Sequence, residues 1–215
     1  AITGSAANSD LVIDGGTVIL DSANSYNGPT SIINGATLNA NALNALPTAN
    51  GRTAISMDST GSGGSTLSLG ANQTIASLTG AASSNVTLGS NTLTIGTTSG
   101  NTTFAGRISG NGNLVKDGAS TLILSGSNSF NGSTTITAGT LNAANANALG
   151  TNNTVTVTGG TLLVSADDAI NGTQITLNGT STTVATLAFS SNYTGSIGRL
   201  TLSANSIIDL GQGNV

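Results

Sequence analysis

The 215-residue chain has no histidine, cysteine, tryptophan or glutamate; its eight acidic residues are all aspartate, 6% of residues are charged and 2% are aromatic. Without His or Glu the usual general acids and bases are missing, so no catalytic residue is assigned. Without cysteine there is no thiol for redox to switch. Four basic residues (Arg52, Arg107, Lys116 and Arg199) cannot neutralise a run of phosphates, and nucleic-acid binding is excluded. The net charge of −4 is mild acidity, not an acidic tail. No apolar run approaches the length of a transmembrane helix, so no membrane insertion is expected of this segment. The opening stretch AITGSAANSD lacks both the basic start and the apolar centre of a signal peptide. With so few charges, the expectation is a secreted or surface chain whose signal has been removed.

What is present is threonine (35), glycine (30) and asparagine (26), with enough Val, Ile, Leu and Ala for a thin aliphatic core. Apolar and polar residues alternate strictly in STLSLG (65–70), NVTLGS (85–90), NTLTIG (91–96), STLILSG (120–126), STTITAG (133–139), NTVTVTGGTLLVSA (153–166), TQITLNG (173–179) and GRLTLSANSIIDLG (198–211). Period-2 alternation bounded by Gly, Asn or Ser marks half-buried strands. Helical spacing occurs only in 39–50 and 142–153, each read as a single helical turn or a loop. The fold class is therefore all-β, with almost no α-helix.

The chain also repeats itself. Thr17 to Gly35 overlays Thr121 to Gly139 at an offset of 104, with 10 of 19 positions identical. LVIDGG (11–16) mirrors LVKDGA (114–119), and the likeness runs on loosely to give two related units, about 11–47 and 114–150. Short strands that each bury one face must stack on something. Coils of a β-solenoid meet that need: at roughly 20–25 residues and about 4.8 Å per coil, 215 residues make about nine coils, near 45 Å. An antiparallel sandwich also satisfies the alternation, but it fits less well with a long duplication and few aromatic anchors.

Residues 109–141, SGNGNLVKDGASTLILSGSNSFNGSTTITAGTL, resemble the autotransporter-associated β-strand repeat of bacterial secreted and surface proteins. The positions that carry the likeness are Gly110, Gly112, Leu114, Lys116, Gly118, Leu122, Leu124, Gly126, Asn128, Phe130, Gly132, Thr134, Ile136, Gly139 and Leu141. Ser120 stands where the family has Gly. The first copy departs further, with Ile13 in place of Lys and Pro29 after the Gly. The resemblance implies a right-handed parallel β-helix, a passenger-type scaffold. It implies no particular activity, because such a scaffold serves many functions.

The structural corner is assigned to Asn128, Phe130, Asn131, Gly132, Thr134, Ile136 and Gly139, and in the first copy to Tyr26, Asn27, Gly28, Thr30, Ile32 and Gly35. Asn-Gly pairs at 27–28, 34–35, 131–132, 171–172 and 178–179 read as turns, since Gly reaches positive φ freely and Asn tolerates it. Tyr26 and Phe130 are expected to pack over one end of a coil. Asp10, Asp14, Asp117, the Asp167–Asp168 pair and Arg107 have no spacing that asks for a catalytic or calcium site, so no cofactor or metal site is assigned. The Thr-x-Thr runs at 92–94 and 154–158 and the cluster Thr134, Thr135 and Thr137 are expected to face outward and to align across coils. Ile19 and Ile123 fall on the face opposite their apolar neighbours, as a lateral contact or as part of a two-layered core.

Neither terminus carries a polar amphipathic cap, which suggests a piece of a longer solenoid or a unit that joins end to end. Together these readings give a non-enzymatic extracellular stalk, adhesive scaffold or fibre unit at a bacterial cell surface. Its expected partners are itself, end to end, or further repeats of the same chain, with a surface glycan as a further candidate. The alternative is a binding module that uses a Thr/Asn-rich solenoid face for ice or glycan.

Overall fold

The computed structural model describes residues 1–3, 9–48, 52–57, 63–96, 100–151, 154–190 and 193–211. In chain order its first strands are β1 Leu11–Asp14, β2 Thr17–Leu20, β3 Thr30–Ile33, β4 Thr37–Ala40, β5 Ala54–Met57, β6 Thr66–Leu69, β7 Gln73–Ile75 and β8 Ser77–Gly80. Next come β9 Asn85–Thr87, β10 Thr92–Gly96, β11 Thr102–Phe104, β12 Arg107–Gly110, β13 Asn113–Asp117, β14 Thr121–Leu124, β15 Ser129–Phe130 and β16 Thr134–Ile136. The last are β17 Thr140–Ala143, β18 Thr154–Val157, β19 Gly160–Val164, β20 Gln174–Asn178, β21 Ala185–Phe189, β22 Leu200–Ala204 and β23 Ser206–Asp209. Among the described residues there is no helix. The two stretches with helical spacing are turns, at 42–46 and 145–149, with Ala45, Leu46, Ala148 and Leu149 buried.

These strands form three walls of a parallel β-solenoid. The first wall has ten strands, in the order β1-β3-β5-β8-β11-β14-β17-β19-β21-β23. The second runs β2-β4-β6-β9-β12-β15, and the third β7-β10-β13-β16-β18-β20-β22. Strand pairing is parallel throughout. From β5 to β16 the chain visits first, second and third wall in turn, while the circuits before β5 carry strands on the first and second walls alone among the described residues; each return to the first wall adds one coil. Coil length varies: Leu11 lies 19 residues before its partner Thr30, and Gly160 lies 25 before Ala185. The ten strands of the first wall define nine steps, about 43 Å at the usual strand spacing. Beyond β15 the second side is closed by turns that still bond to the coil before, as Thr151 N–H does to Phe130 O at 3.1 Å.

Alternation decides what goes inside. Leu20, Ile32, Leu67, Leu69, Leu88, Leu93, Ile95, Leu122, Leu124, Ile136, Leu141, Val155, Val157 and Leu162 are all buried, and Val18 is half-buried. Ile19 points out and is 54% exposed, and Ile123 is half-buried on the outer face, so the core has one layer. Tyr26 and Phe130 do not cap a coil end: they are 2% and 0% exposed and fill the interior, because a ring is the largest apolar volume the coil has to bury.

The two copies of the repeat do not sit one above the other. β1 and β3 are in the first wall, whereas their counterparts β13 and β16 are in the third. β2 and β4 are in the second wall, and their counterparts β14 and β17 are in the first. The 104-residue offset spans a whole number of walls but not of coils.

Candidate functional site: the repeat corner and the outer faces

The corner is held by an asparagine. Asn128 is 3% exposed; its Oδ1 accepts from Ile108 N–H of the coil before at 2.7 Å, and its Nδ2 donates to Ala148 O of the coil after at 2.6 Å. Its own N–H donates to Asn147 O at 3.0 Å. Asn24, the same position in the first copy, accepts from Ile2 N–H and donates to Ala45 O at 2.8 Å. One side chain thus pins three coils, where the alternation turns inward and a backbone pair would otherwise go unmet. Asn24 was missed as a corner residue, although its coincidence with Asn128 in the duplication marks it.

The residue two places further on distinguishes the copies. In the first, Tyr26 OH lies 2.7 Å from Thr30 Oγ1, which in turn lies 3.1 Å from Thr53 Oγ1. Burial pushes the Tyr26 phenol above its usual pKa, against the pull of hydrogen bonds from Thr30 and Thr53. In the second copy Phe130 has no hydroxyl, and buried Thr134 Oγ1 has no hydrogen-bond partner among the described residues. Thr134 therefore faces inward, not outward as its run of threonines implied. Phe130→Tyr is expected to supply that partner and to stabilise the chain by about 1 kcal/mol, measured by chemical denaturation. A neutral or destabilising result would show that the ring edge does not face Thr134 Oγ1.

The Asn-Gly pairs divide into two kinds. At 34–35 both residues have positive φ, +54° and +72°, and Gly172 has φ +70°; these are turns of the expected type. Gly28, Gly132 and Gly179 do not have positive φ. A Cβ at Gly132 would stand 2.0 Å from Gly112 O, one at Gly179 2.3 Å from Asn205 O, and one at Gly28 2.2 Å from Asp10 Oδ1. Here glycine is required by the close approach of the neighbouring coil. Asn27 and Asn131 are exposed beside these contacts; Asn131 Nδ2 donates to Asn111 Oδ1 at 3.2 Å, and its Oδ1 accepts from Thr151 Oγ1 at 2.6 Å. Gly139, at φ +67°, and buried Ile32 and Ile136 complete the corner.

The charged groups are engaged locally. Lys116 occupies an inward position in register with Ile95 and Ile136 and is 1% exposed. Its Nζ donates to the carbonyls of Asp117 (2.8 Å), Gly118 (2.7 Å) and Ala138 (3.3 Å). Burial lowers its pKa, and Asp117 only partly offsets this. Burial works to raise the Asp117 carboxyl, but the Gly118 N–H, Arg52 and Thr137 outweigh it and hold the group below its usual value. Arg52 pairs with Asp117 at 3.1 Å and donates to Gly96 O at 3.0 Å. Asp14 accepts from Asn34 Nδ2 at 2.6 Å, Asp167 from Thr194 N–H at 2.9 Å, and Arg107 donates to Ser129 Oγ at 2.8 Å. The coils do not bring Asp10, Asp14, Asp117 and Arg107 together, and no group of three metal-ligating side chains occurs among the described residues.

One outer face is regular. On the third wall Thr74, Thr94, Val115, Thr135, Thr156, Thr176 and Thr201 share one register position across all seven strands. The corresponding position on the first wall is mixed, running through Val12, Ser31, Ser56, Thr79, Thr103, Ile123, Asn142, Leu163, Ala188 and Asp209. Six threonines in seven coils make a straight file of hydroxyls and methyls about 4.8 Å apart. Pairing register, which local alternation does not reveal, is what aligns them.

A rod of stacked coils, pinned at its corners by buried asparagines, belongs to the class of parallel β-solenoids. Residues 13–40 and 114–143 match the family model of the passenger-associated-transport-repeat, so the chain carries two copies of that repeat. The match covers the corner in both copies and agrees with the resemblance read from the sequence. Repeat and solenoid together fit an autotransporter passenger-type protein. No curated protein and no solved structure matches the chain.

Proposed function

We propose that this chain is a non-enzymatic structural segment displayed outside a bacterial cell, a stalk or adhesive scaffold whose work is to hold length. The observation that carries this reading is the unbroken parallel pairing of ten strands over one aliphatic core. Such a shaft gains stability coil by coil from nearest-neighbour contacts, so reach scales with repeat number. The engagement of Arg52, Lys116, Asp117 and Arg107 in structural hydrogen bonds supports a non-catalytic role. The passenger repeat supports a secreted or surface location. Immunogold labelling of intact producing cells is expected to mark the outer surface, and screens on uronic-acid polymers to find no turnover. Retention in the cytoplasm, or turnover of such a polymer, would sink the reading.

A second reading rests on the threonine file of the third wall, which offers a row of uncharged hydroxyls and methyls to ice or to an extended glycan. Thr156→Lys with Thr176→Lys is expected to reduce ice-recrystallisation inhibition or glycan-array signal at least tenfold while leaving the fold intact. Ordinary ice growth and an empty glycan array with the unaltered chain would end it.

A further inference from the structure

The Asn-Gly pairs share one piece of chemistry: a glycine nitrogen, unshielded by any Cβ, can add to the carboxamide carbon of the asparagine before it. The fold restrains them differently. Gly28 N–H donates to Ser9 O at 3.2 Å and Gly179 N–H to Ala204 O at 3.1 Å, so both nitrogens are held by neighbouring backbone. Gly132 is hemmed in by Gly112 O, 2.0 Å from where a Cβ would stand. Asn34 gives its Nδ2 to the Asp14 carboxylate at 2.6 Å, and that charge opposes the negative charge that builds on an attacked carboxamide. Asn171–Gly172 is the open case. Both residues are exposed, and nothing lies within 4 Å of a Cβ position on Gly172. Thr173 N–H closes the turn on Ile170 O at 3.0 Å, with Gly172 at φ +70° in its third place. Ser196 Oγ, on the next coil, donates to Asn171 Oδ1 at 2.7 Å. A hydroxyl on that oxygen polarises Cγ and stabilises the oxyanion formed when a nucleophile adds.

We propose that Asn171 is a site of spontaneous deamidation, a modification the fold directs to this turn and away from the other four Asn-Gly pairs. Solvent hydroxide takes the Gly172 amide proton, and the nitrogen adds to Asn171 Cγ. The N–Cγ bond forms, the Cγ–Nδ2 bond breaks, and Nδ2 leaves as ammonia with a proton from water. Water then opens the resulting succinimide at one of its two carbonyls, giving aspartate or isoaspartate. One water is consumed and one ammonia released, with no change of oxidation state. Either product adds a negative charge to a turn that already carries Asp167 and Asp168. Isoaspartate does more, because it routes the main chain through the side-chain carbon and lengthens the turn by one bond. The next coil rests on that turn. A Cβ at Gly198 would stand 2.5 Å from Thr173 O and 2.7 Å from Gly172 O, and Ile175 N–H donates to Arg199 O at 2.8 Å. The isoaspartyl form therefore loosens this seat, whereas the aspartyl form leaves it in place. The proposal goes beyond the scaffold reading and fails separately from it, because a chain that never deamidates is still a shaft.

The folded chain is aged in warm, mildly alkaline buffer and mapped by peptide mass spectrometry. The mass gain of an amide-to-acid change is expected at Asn171 at least tenfold faster than at Asn27, Asn34, Asn131 or Asn178. In denaturant the five rates should converge, since glycine follows each asparagine and no fold restrains it. Ser196→Ala is expected to slow conversion at Asn171 at least threefold and to leave the other four sites unchanged. In the aged chain, hydrogen exchange should show the Thr173 and Ile175 amides losing protection in the isoaspartyl fraction, while Asn171→Asp keeps it. Like rates at all five sites of the folded chain, or a faster rate at another pair, overturn the proposal. Conversion at Asn171 that Ser196→Ala leaves unchanged or speeds up overturns the role given to the hydroxyl.

Discussion

A methyl group added at Gly132 is expected to cost about 3–4 kcal/mol, the upper range for overpacking a rigid neighbour. The new Cβ would lie 2.0 Å from Gly112 O and 2.5 Å from Gly112 C, both backbone atoms of the coil before. No rotamer change relieves such a contact; the coils must move apart, and the hydrogen bond from Ser133 N–H to Asn113 Oδ1, now 2.9 Å, goes with them. Gly172→Ala is the control. Gly172 has φ +70° and nothing within 4 Å of a new Cβ, so its cost is the dihedral strain alone, about 1–2 kcal/mol. Asparagine should be tolerated at Gly172 and rejected at Gly132. Denaturation midpoints that fall equally for both alanine variants would show that the approach of coils at Gly132 is not tight.

Asn128→Ala is expected to cost about 3 kcal/mol, since it leaves the buried Ile108 N–H and Ala148 carbonyl without partners at roughly 1–3 kcal/mol each. Asn128→Asp is more informative. Its carboxylate still accepts from Ile108 N–H but faces Ala148 O with no proton to give, so at neutral pH it should be at least as damaging as alanine. Burial against a carbonyl raises the pKa of that acid in the fold. Its neutral form then donates where Nδ2 did, giving stability that is present below the unfolded carboxyl pKa and lost as pH rises through the raised value. The midpoint of Asn128→Asp should therefore recover on acidification relative to Asn128→Ala. Parallel pH profiles for the two variants would remove the inter-coil clamp from the account. Hydrogen exchange should place the first loss of protection at the amides of Ile108 and of position 128, because a solenoid yields locally.

The alternation of Leu122, Leu124, Ile136 and Leu141 with polar neighbours was enough to read strand, inward face and stacked coil, because side-chain direction follows from the chain alone. What lay beyond reading depended on the coil next door. Gly132 and Gly35 follow an asparagine in the same way, yet one is needed for space and the other for φ. Thr134 belongs to a run of threonines, but its inward position is set by the corner, and its missing partner by Phe130 standing where the first copy has Tyr26. Lys116 was legible in principle: it sits at an apolar beat of LVK, two residues after Leu114, and three carbonyls around its ammonium explain how it stays there. The threonine file needed register, which depends on coil lengths that vary from 19 to 29 residues.

The displacement of the two repeat copies by one wall bears on how a shaft of this kind evolves. β2 and its duplicate β14 look out over different sides of the prism. Whatever handhold one copy carries on its exterior, the next copy carries around the corner, as the thread of a screw carries a mark. Lengthening such a molecule by duplication spreads its contacts around the azimuth and builds no single gripping edge. A straight file such as the third-wall threonines must instead be assembled coil by coil, by substitution.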